Sequence, residues 1–154
     1  MKYVERVLQP GETLVYRTSL HWLVYGRAVV LLFLAIGSAI GSADVGSAEA
    51  ALALEALAAL LALLAAVAGV HALVRRAATE LAVTDRRVIY KAGVLQRHTL
   101  EMNRSKVETV GVDQSLLGRL LNYGTVVVRG TGGSFEPIRF IGDPLRFRSH
   151  ITAG

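Results

Sequence analysis

The sequence predicts a membrane-anchored α+β protein: a two-helix transmembrane hairpin followed by a small antiparallel β-barrel or sandwich with a short C-terminal helix. Three observations predict it. Two long apolar stretches, Trp22–Ala43 and Leu52–Val74, are separated by one short loop. After Thr79 the pattern changes to short runs rich in Val, Ile and Tyr, broken by turn residues. The chain then closes on Asp143-Pro144, a helix-start signal.

At a rise of about 1.5 Å per residue, either apolar stretch can cross a hydrocarbon core about 30 Å thick. Arg27 interrupts the first near its start, and the second carries Glu55 near its start and His71 near its end. Both of those groups can reach an interface, so neither reads as an intramembrane site. Trp22 and Tyr25 stand where an aromatic belt anchors a helix. Gly37 and Gly41 give the first helix a GxxxG spacing, and Ala65 and Gly69 answer in the second, so Gly37 and Gly41 are expected to pack helices within the hairpin or between copies. A late start behind a polar leader, with a second apolar helix close behind, argues against a cleaved signal peptide. The rival is a soluble hairpin covered by an oligomer, which must bury nearly every face of a helix without a polar stripe.

Charge sets the orientation. Lys2, Arg6, Arg17 and Arg27 precede or open the first stretch, the loop Ser42–Ala51 has no base, and Arg75 and Arg76 close the second stretch with eleven more bases after them. Both termini are therefore expected in the cytoplasm and the protein in the inner membrane. The expected organisation is a leader over 1–21, the hairpin over 22–74 and a domain over 75–154.

Within that domain, strands are expected at Glu80–Thr84, Arg87–Lys91, Val94–Met102, Lys106–Val112, Thr125–Arg129 and Phe135–Ile141, with tight turns at Ala92-Gly93 and Gly130–Gly133. Ser115 is expected to cap a short helix that ends at Asn122 or Gly124 in a left-handed conformation, and Leu116, Leu117, Leu120 and Leu121 to plug the core. Asp143 is expected to cap the terminal helix. Glu12–Leu20 alternates loosely, as a short strand or interfacial segment does.

Several of these stretches carry a family resemblance. The run Glu80-Leu-Ala-Val-Thr-Asp-Arg-Arg-Val-Ile-Tyr-Lys-Ala-Gly93 resembles the opening of bacterial pleckstrin-homology-like domains attached to membrane helices. Lys106-Val-Glu-Thr-Val110, Gln114-Ser-Leu-Leu-Gly-Arg-Leu-Leu121, Tyr123-Gly-Thr-Val-Val-Val-Arg-Gly-Thr-Gly-Gly133, Asp143-Pro144 and the leader with its Pro-Gly-Glu12 are similar to that family too. The resemblance implies seven strands in two orthogonal sheets capped by a C-terminal helix. Six strands follow the hairpin by this count, so the seventh is either unrecognised or supplied by Glu12–Leu20. The resemblance brings no catalytic residues and no common ligand.

The chemistry that can be read points to binding. The four histidines, His21, His71, His98 and His150, lack metal-ligand spacing, and with no cysteine there is no thiolate site. Arg129-Gly-Thr-Gly-Gly133 lacks the Lys-Ser/Thr of a phosphate-binding loop and reads first as a hairpin turn, second as an anion nest formed by Gly130 and Gly132 beside Arg129. No enzyme, metal or cofactor is expected. Residues 75–154 hold thirteen Lys and Arg against seven Asp and Glu. Arg75, Arg76, Arg86, Arg87, Lys91 and Arg97 are the expected lipid-proximal bases. Membrane lipids and a protein partner or further copies of the chain are the expected partners. Nucleic acid is not, because the bases are not interleaved with exposed aromatics. The leading function is a cytoplasm-facing interaction or scaffolding module, expected to be oligomeric; the alternatives are an anionic-headgroup binder, with its site between the Arg86–Gly93 hairpin and the Arg129–Gly133 turn, and an accessory subunit of a membrane complex.

Overall fold

In a computed structural model, residues 3–93, 98–134 and 137–153 are described. The elements run α1 (Tyr3–Val7), β1 (Leu14–Thr18), α2 (Gly26–Ala43), α3 (Ala48–Ala78), β2 (Glu80–Thr84), β3 (Arg87–Ala92), β4 (His98–Asn103), β5 (Val107–Asp113), α4 (Leu116–Leu120), β6 (Tyr123–Gly130), β7 (Gly133–Ser134), β8 (Ile138–Gly142) and α5 (Pro144–Thr152). They form two units: Trp22–Val74, and Met1–His21 together with Arg75–Gly154.

The Trp22–Val74 unit is turned inside out relative to a soluble helix pair. A 3₁₀ turn over Trp22–Tyr25 leads into α2, and the helical stretches Trp22–Ala43 and Ala48–Ala78 are both long and apolar enough to cross a membrane. Its buried positions include Ala35, Ala58 and Ala65, whereas Phe33, Ile40, Leu63 and Val70 are each more than three-fifths exposed. Small residues bring the helices together: Ser38 Oγ donates to the Leu54 carbonyl at 2.8 Å, and a Cβ built on Gly69 lies 3.8 Å from the Ala28 Cβ. Gly37 and Gly41 face open space, so neither packs helix on helix within this hairpin.

In the other unit, β1–β4 form one antiparallel sheet in chain order, and β5, β6 and β7 form a second, with β8 on the other edge of β6. Seven strands follow the hairpin, the unrecognised one being the two-residue β7, and the leader supplies an eighth. β1 pairs with β2 from Leu14 opposite Thr84 to Thr18 opposite Leu81, across the whole hairpin in sequence. The third expected strand is described from His98 onward; Val94–Arg97 and Phe135-Glu136 lie outside the described residues.

β2 reads as continuously apolar because both its faces are covered. Leu81 and Val83 join Val88, Val110, Val126, Val128, Ile138, Ile141, Phe147 and Ile151 in the main core. Ala82, on the opposite face, packs with Ile89 and with Val4 of α1. α5 contributes Phe147 and Ile151 to the core as its pattern predicts, and Pro144 opens it. Asp143 does not cap it through its side chain. Its backbone is left-handed (φ 50°) and its carboxylate instead accepts from the Asn122 amide.

The largest departure from expectation is α4. Ser115 caps it, accepting from the Gly118 N–H at 3.0 Å, and Asn122 ends it at φ 56°, both as expected. Its leucines, however, do not plug the core: Leu116, Leu117 and Leu120 are 84%, 62% and 80% exposed. Gly118 explains the reversal. A Cβ there would stand 2.7 Å from the Tyr123 carbonyl, so the helix presses its glycine side onto β6 and turns its leucines outward.

Candidate interaction surface

Strand direction gives the sheet unit two ends. The chain leaves this unit after His21, just beyond β1, and returns through Arg75–Thr79 into β2. Because β1 and β2 are antiparallel neighbours, departure and return lie at one end, the exit end. The other sheet shares it: Gly142 N–H donates to the Ser19 carbonyl, His21 N–H donates to the Phe140 carbonyl, and Tyr123 pairs with Gly142. At the distal end, Arg104 N–H donates to the Arg86 carbonyl and Thr131 N–H to the Lys106 carbonyl.

The expected basic group divides between these ends. Arg75 and Arg76 stand exposed at the exit end. Lys91 lies near the end of β3 at the same side, with its ammonium 5.4 Å from the centre of the Tyr3 ring, a cation–π distance. Arg97 lies outside the described residues. Arg86, Arg87, Arg129, Gly130 and Gly132 belong to the distal end. The structure therefore brings the Arg86 turn and the Gly-rich turn to one end, but it does not place them with Arg75 and Arg76.

Arg87 has a different environment from the others. Its side chain is only 12% exposed and its guanidinium is taken up internally. Nε and Nη2 donate to the two Glu12 oxygens at 2.9 and 2.8 Å, Nη2 also to the Val7 carbonyl at 2.7 Å, and Nη1 to Glu101 at 2.5 Å. Glu12 itself is fully enclosed. It accepts further hydrogen bonds from the Thr84 hydroxyl at 2.7 Å and the Gln9 N–H at 2.8 Å. The Arg87 hydrogen bonds, with smaller help from Gln9 and Thr84, outweigh desolvation and hold its carboxyl down at about 2, against an ordinary 4.5. Arg87 thus ties the leader to the sheets. Arg86 stays exposed, its Nη2 donating to the Gly11 carbonyl at 3.5 Å.

The Gly-rich turn behaves as a hairpin. The Thr131 N–H is spent on the Lys106 carbonyl, and a Cβ on Gly130 would overlap that same carbonyl, so Gly130 serves close backbone approach. Gly132 has a left-handed φ of 106° and lines, with Met102, Lys106 and Thr131, a shallow distal cavity of about 310 Å³. Arg129 is exposed beside it.

A second shallow cleft, about 320 Å³, opens at the exit end between Arg17, Thr18, Ser19, Arg76, Thr79 and Glu80. Glu80 receives Arg17 at 2.9 Å and the Tyr3 and Val4 N–H groups, which fastens α1 over β2. Sequence reasoning missed Glu12, Arg17 and Glu80 as partners because nothing local marks a carboxylate whose cation is more than sixty residues away. Among the described residues no three His, Asp or Glu side chains gather as metal ligands. These two shallow clefts are lined by charged and polar groups suited to recognition.

The family profile of the bacterial PH domain matches residues 27–153, a span that takes in both apolar helices as well as β2–β8. Neither a curated protein nor a solved structure matches the chain.

Proposed function

Since this chain belongs to the bacterial PH domain family, we propose that it is a non-enzymatic interaction module anchored in the cytoplasmic membrane, with the hairpin crossing the bilayer, both termini in the cytoplasm, and the distal end of the sheet unit offered to a protein partner. The observation that carries this reading is the shared exit end: the chain leaves and re-enters the sheet unit at one end, and the other end carries exposed bases around a shallow cavity. The exposed bases there, Arg86, Lys106 and Arg129, favour an acidic partner surface. Gly37 and Gly41, open in the single chain, are offered to further copies, so the assembly is a scaffold of several chains.

Single cysteines test the arrangement, since the chain has none of its own. An impermeant maleimide is expected to label Ser47→Cys in intact cells and Ser105→Cys only in inverted membranes. The opposite pattern overturns the orientation, and recovery of both variants in the soluble fraction overturns the anchor.

A second reading, anionic-headgroup binding, draws on the exit-end cleft, where Arg76 lines the wall and Arg75 stands exposed next to it in sequence. Its test is native mass spectrometry of the intact chain in mild detergent. Retained anionic phospholipid is expected to be lost in Arg75→Glu/Arg76→Glu and kept in Arg86→Glu; equal retention in all three removes this reading.

A further inference from the structure

We infer that α4 is a lipid-contacting foot: Leu116, Leu117 and Leu120 seat in the interfacial layer of the same bilayer that the hairpin crosses, and fix the sheet unit against it. This rests on the membrane-anchored reading above.

The first argument is that these leucines have no work inside the fold. They are between 62% and 84% exposed, while the core is filled by other residues. The second is that the helix bearing them is held rigidly. Ser115 caps it, Gln114 Nε2 donates to the Gly118 and Tyr123 carbonyls at 3.2 and 3.0 Å, Gly118 admits the Tyr123 carbonyl, and Asn122 turns the chain away. Five residues of helix do not hold together alone in water. Here polar groups on both flanks support one turn whose outward face is apolar, an arrangement that costs solubility unless that face is covered.

The third argument names what covers it. His21, the last residue of this unit before the first apolar stretch, stacks on Tyr123 with ring centres 5.4 Å apart and donates to the Leu121 carbonyl at the end of α4. Its peptide N–H donates to the Phe140 carbonyl, and the Phe140 ring also stacks on Tyr123, at 6.0 Å. One covalent step after His21 comes Trp22 and the span. The leucine turn is therefore fastened by a ring stack and a hydrogen bond to the residue from which the chain passes into the membrane. Charge agrees: α4 carries Arg119 and no acid, the mixture that suits an anionic interface.

The test uses the full chain in nanodiscs of phosphatidylglycerol and phosphatidylcholine, with an environment-sensitive fluorophore on Leu117→Cys, Leu60→Cys in the span, or Ser105→Cys at the distal end. Brominated lipid is expected to quench the Leu60 and Leu117 probes at least about two-fold more than the Ser105 probe, as burial at the headgroup–acyl boundary requires. Adding Leu116→Gln/Leu120→Gln, both exposed and so without effect on the core, is expected to release the Leu117 probe. If Leu60 is quenched and Leu117 matches Ser105, the foot is wrong and the anchor stands. A Leu117 probe that is blue-shifted but unquenched means that protein, a second copy included, covers this face, and also overturns the inference. An unquenched Leu60 probe removes the anchor and the foot together.

Discussion

The two ends of the sheet unit carry the same sign of charge and use it in different ways. At the distal end the best-positioned cation, Arg87, is withdrawn into a network with Glu12, Glu101 and the Val7 carbonyl. At the exit end Arg75 and Arg76 remain on the surface, and Arg76 lines a cleft with Arg17, Thr18 and Glu80. A count of basic residues treats these ends as equal. What separates them is where carboxylates from distant parts of the chain come to rest. Arg87 is enclosed by carboxylates brought from elsewhere in the chain, whereas Arg75 and Arg76 keep their side chains at the surface.

That contrast breaks most sharply at Glu12. Glu12→Gln removes the enclosed one of the two carboxylates on Arg87, leaving Glu101, and is expected to cost about 3 kcal/mol, the scale for removing one partner of a buried pair. Denaturant unfolding in detergent measures it, and Glu12→Leu/Arg87→Met is expected to recover much of the loss. Arg86→Glu, an exposed neighbour, is expected to change stability by less than about 0.5 kcal/mol. Comparable losses in the two single variants would erase the distinction drawn between Arg86 and Arg87.

Acid gives the same contrast without mutation. Because the Glu12 carboxyl is held at about 2 against an ordinary 4.5, its contribution is fully present above pH 4.5 and disappears as the pH falls towards 2. Thermal unfolding of the intact chain across that window is expected to show the loss, and the slope is expected to flatten in Glu12→Gln. An unchanged slope would assign the acid sensitivity to other carboxylates.

At the exit end the effect is smaller and responds to salt. Arg75→Glu/Arg76→Glu is expected to weaken retention of anionic lipid by about thirtyfold at low ionic strength, from roughly 1 kcal/mol for each of the two bases, and by less at high salt. Smallest is the effect on the fold of Gly37→Leu/Gly41→Leu. Among the described residues a Cβ at either position meets nothing within 4 Å, so the substitution is expected to change the assembly size in detergent while changing stability by less than about 0.5 kcal/mol. A large loss of stability with no change of size would place the glycines in intramolecular packing instead.

The elements were legible where the signal is local. The apolar spans, the Val- and Ile-rich strands, the Ser115 cap, the left-handed Asn122 and Pro144 at the start of α5 each depend on residues a few positions apart. The pairing of β1 with β2 was legible only as one of two options, because its partner lies across the hairpin. The leucines of α4 misled for a physical reason. Hydrophobic composition predicts burial against something, and it does not say whether that something is this chain; the glycine at 118 was the sign that the inner face was already assigned. Likewise Arg87 looked like Arg86 in sequence, and only the return of the leader tells them apart. Asp143, which looked like an ordinary cap, is positioned by a bond to Asn122 rather than to its own helix.

The strand that β1 lends to β2 also sets an order of manufacture. When the ribosome has made β1 and α1, the strand they belong to does not yet exist; Leu14 must wait for Thr84, and Val7 for Arg87. Both long helices emerge in that interval while the leader is still unpaired, and the sheet unit closes only afterwards. Closing so wide a loop is slow. Until it happens, β2 offers an open apolar edge, and a nascent chain stalled anywhere between residues 22 and 79 is a substrate for chaperones and proteases rather than a smaller version of the protein.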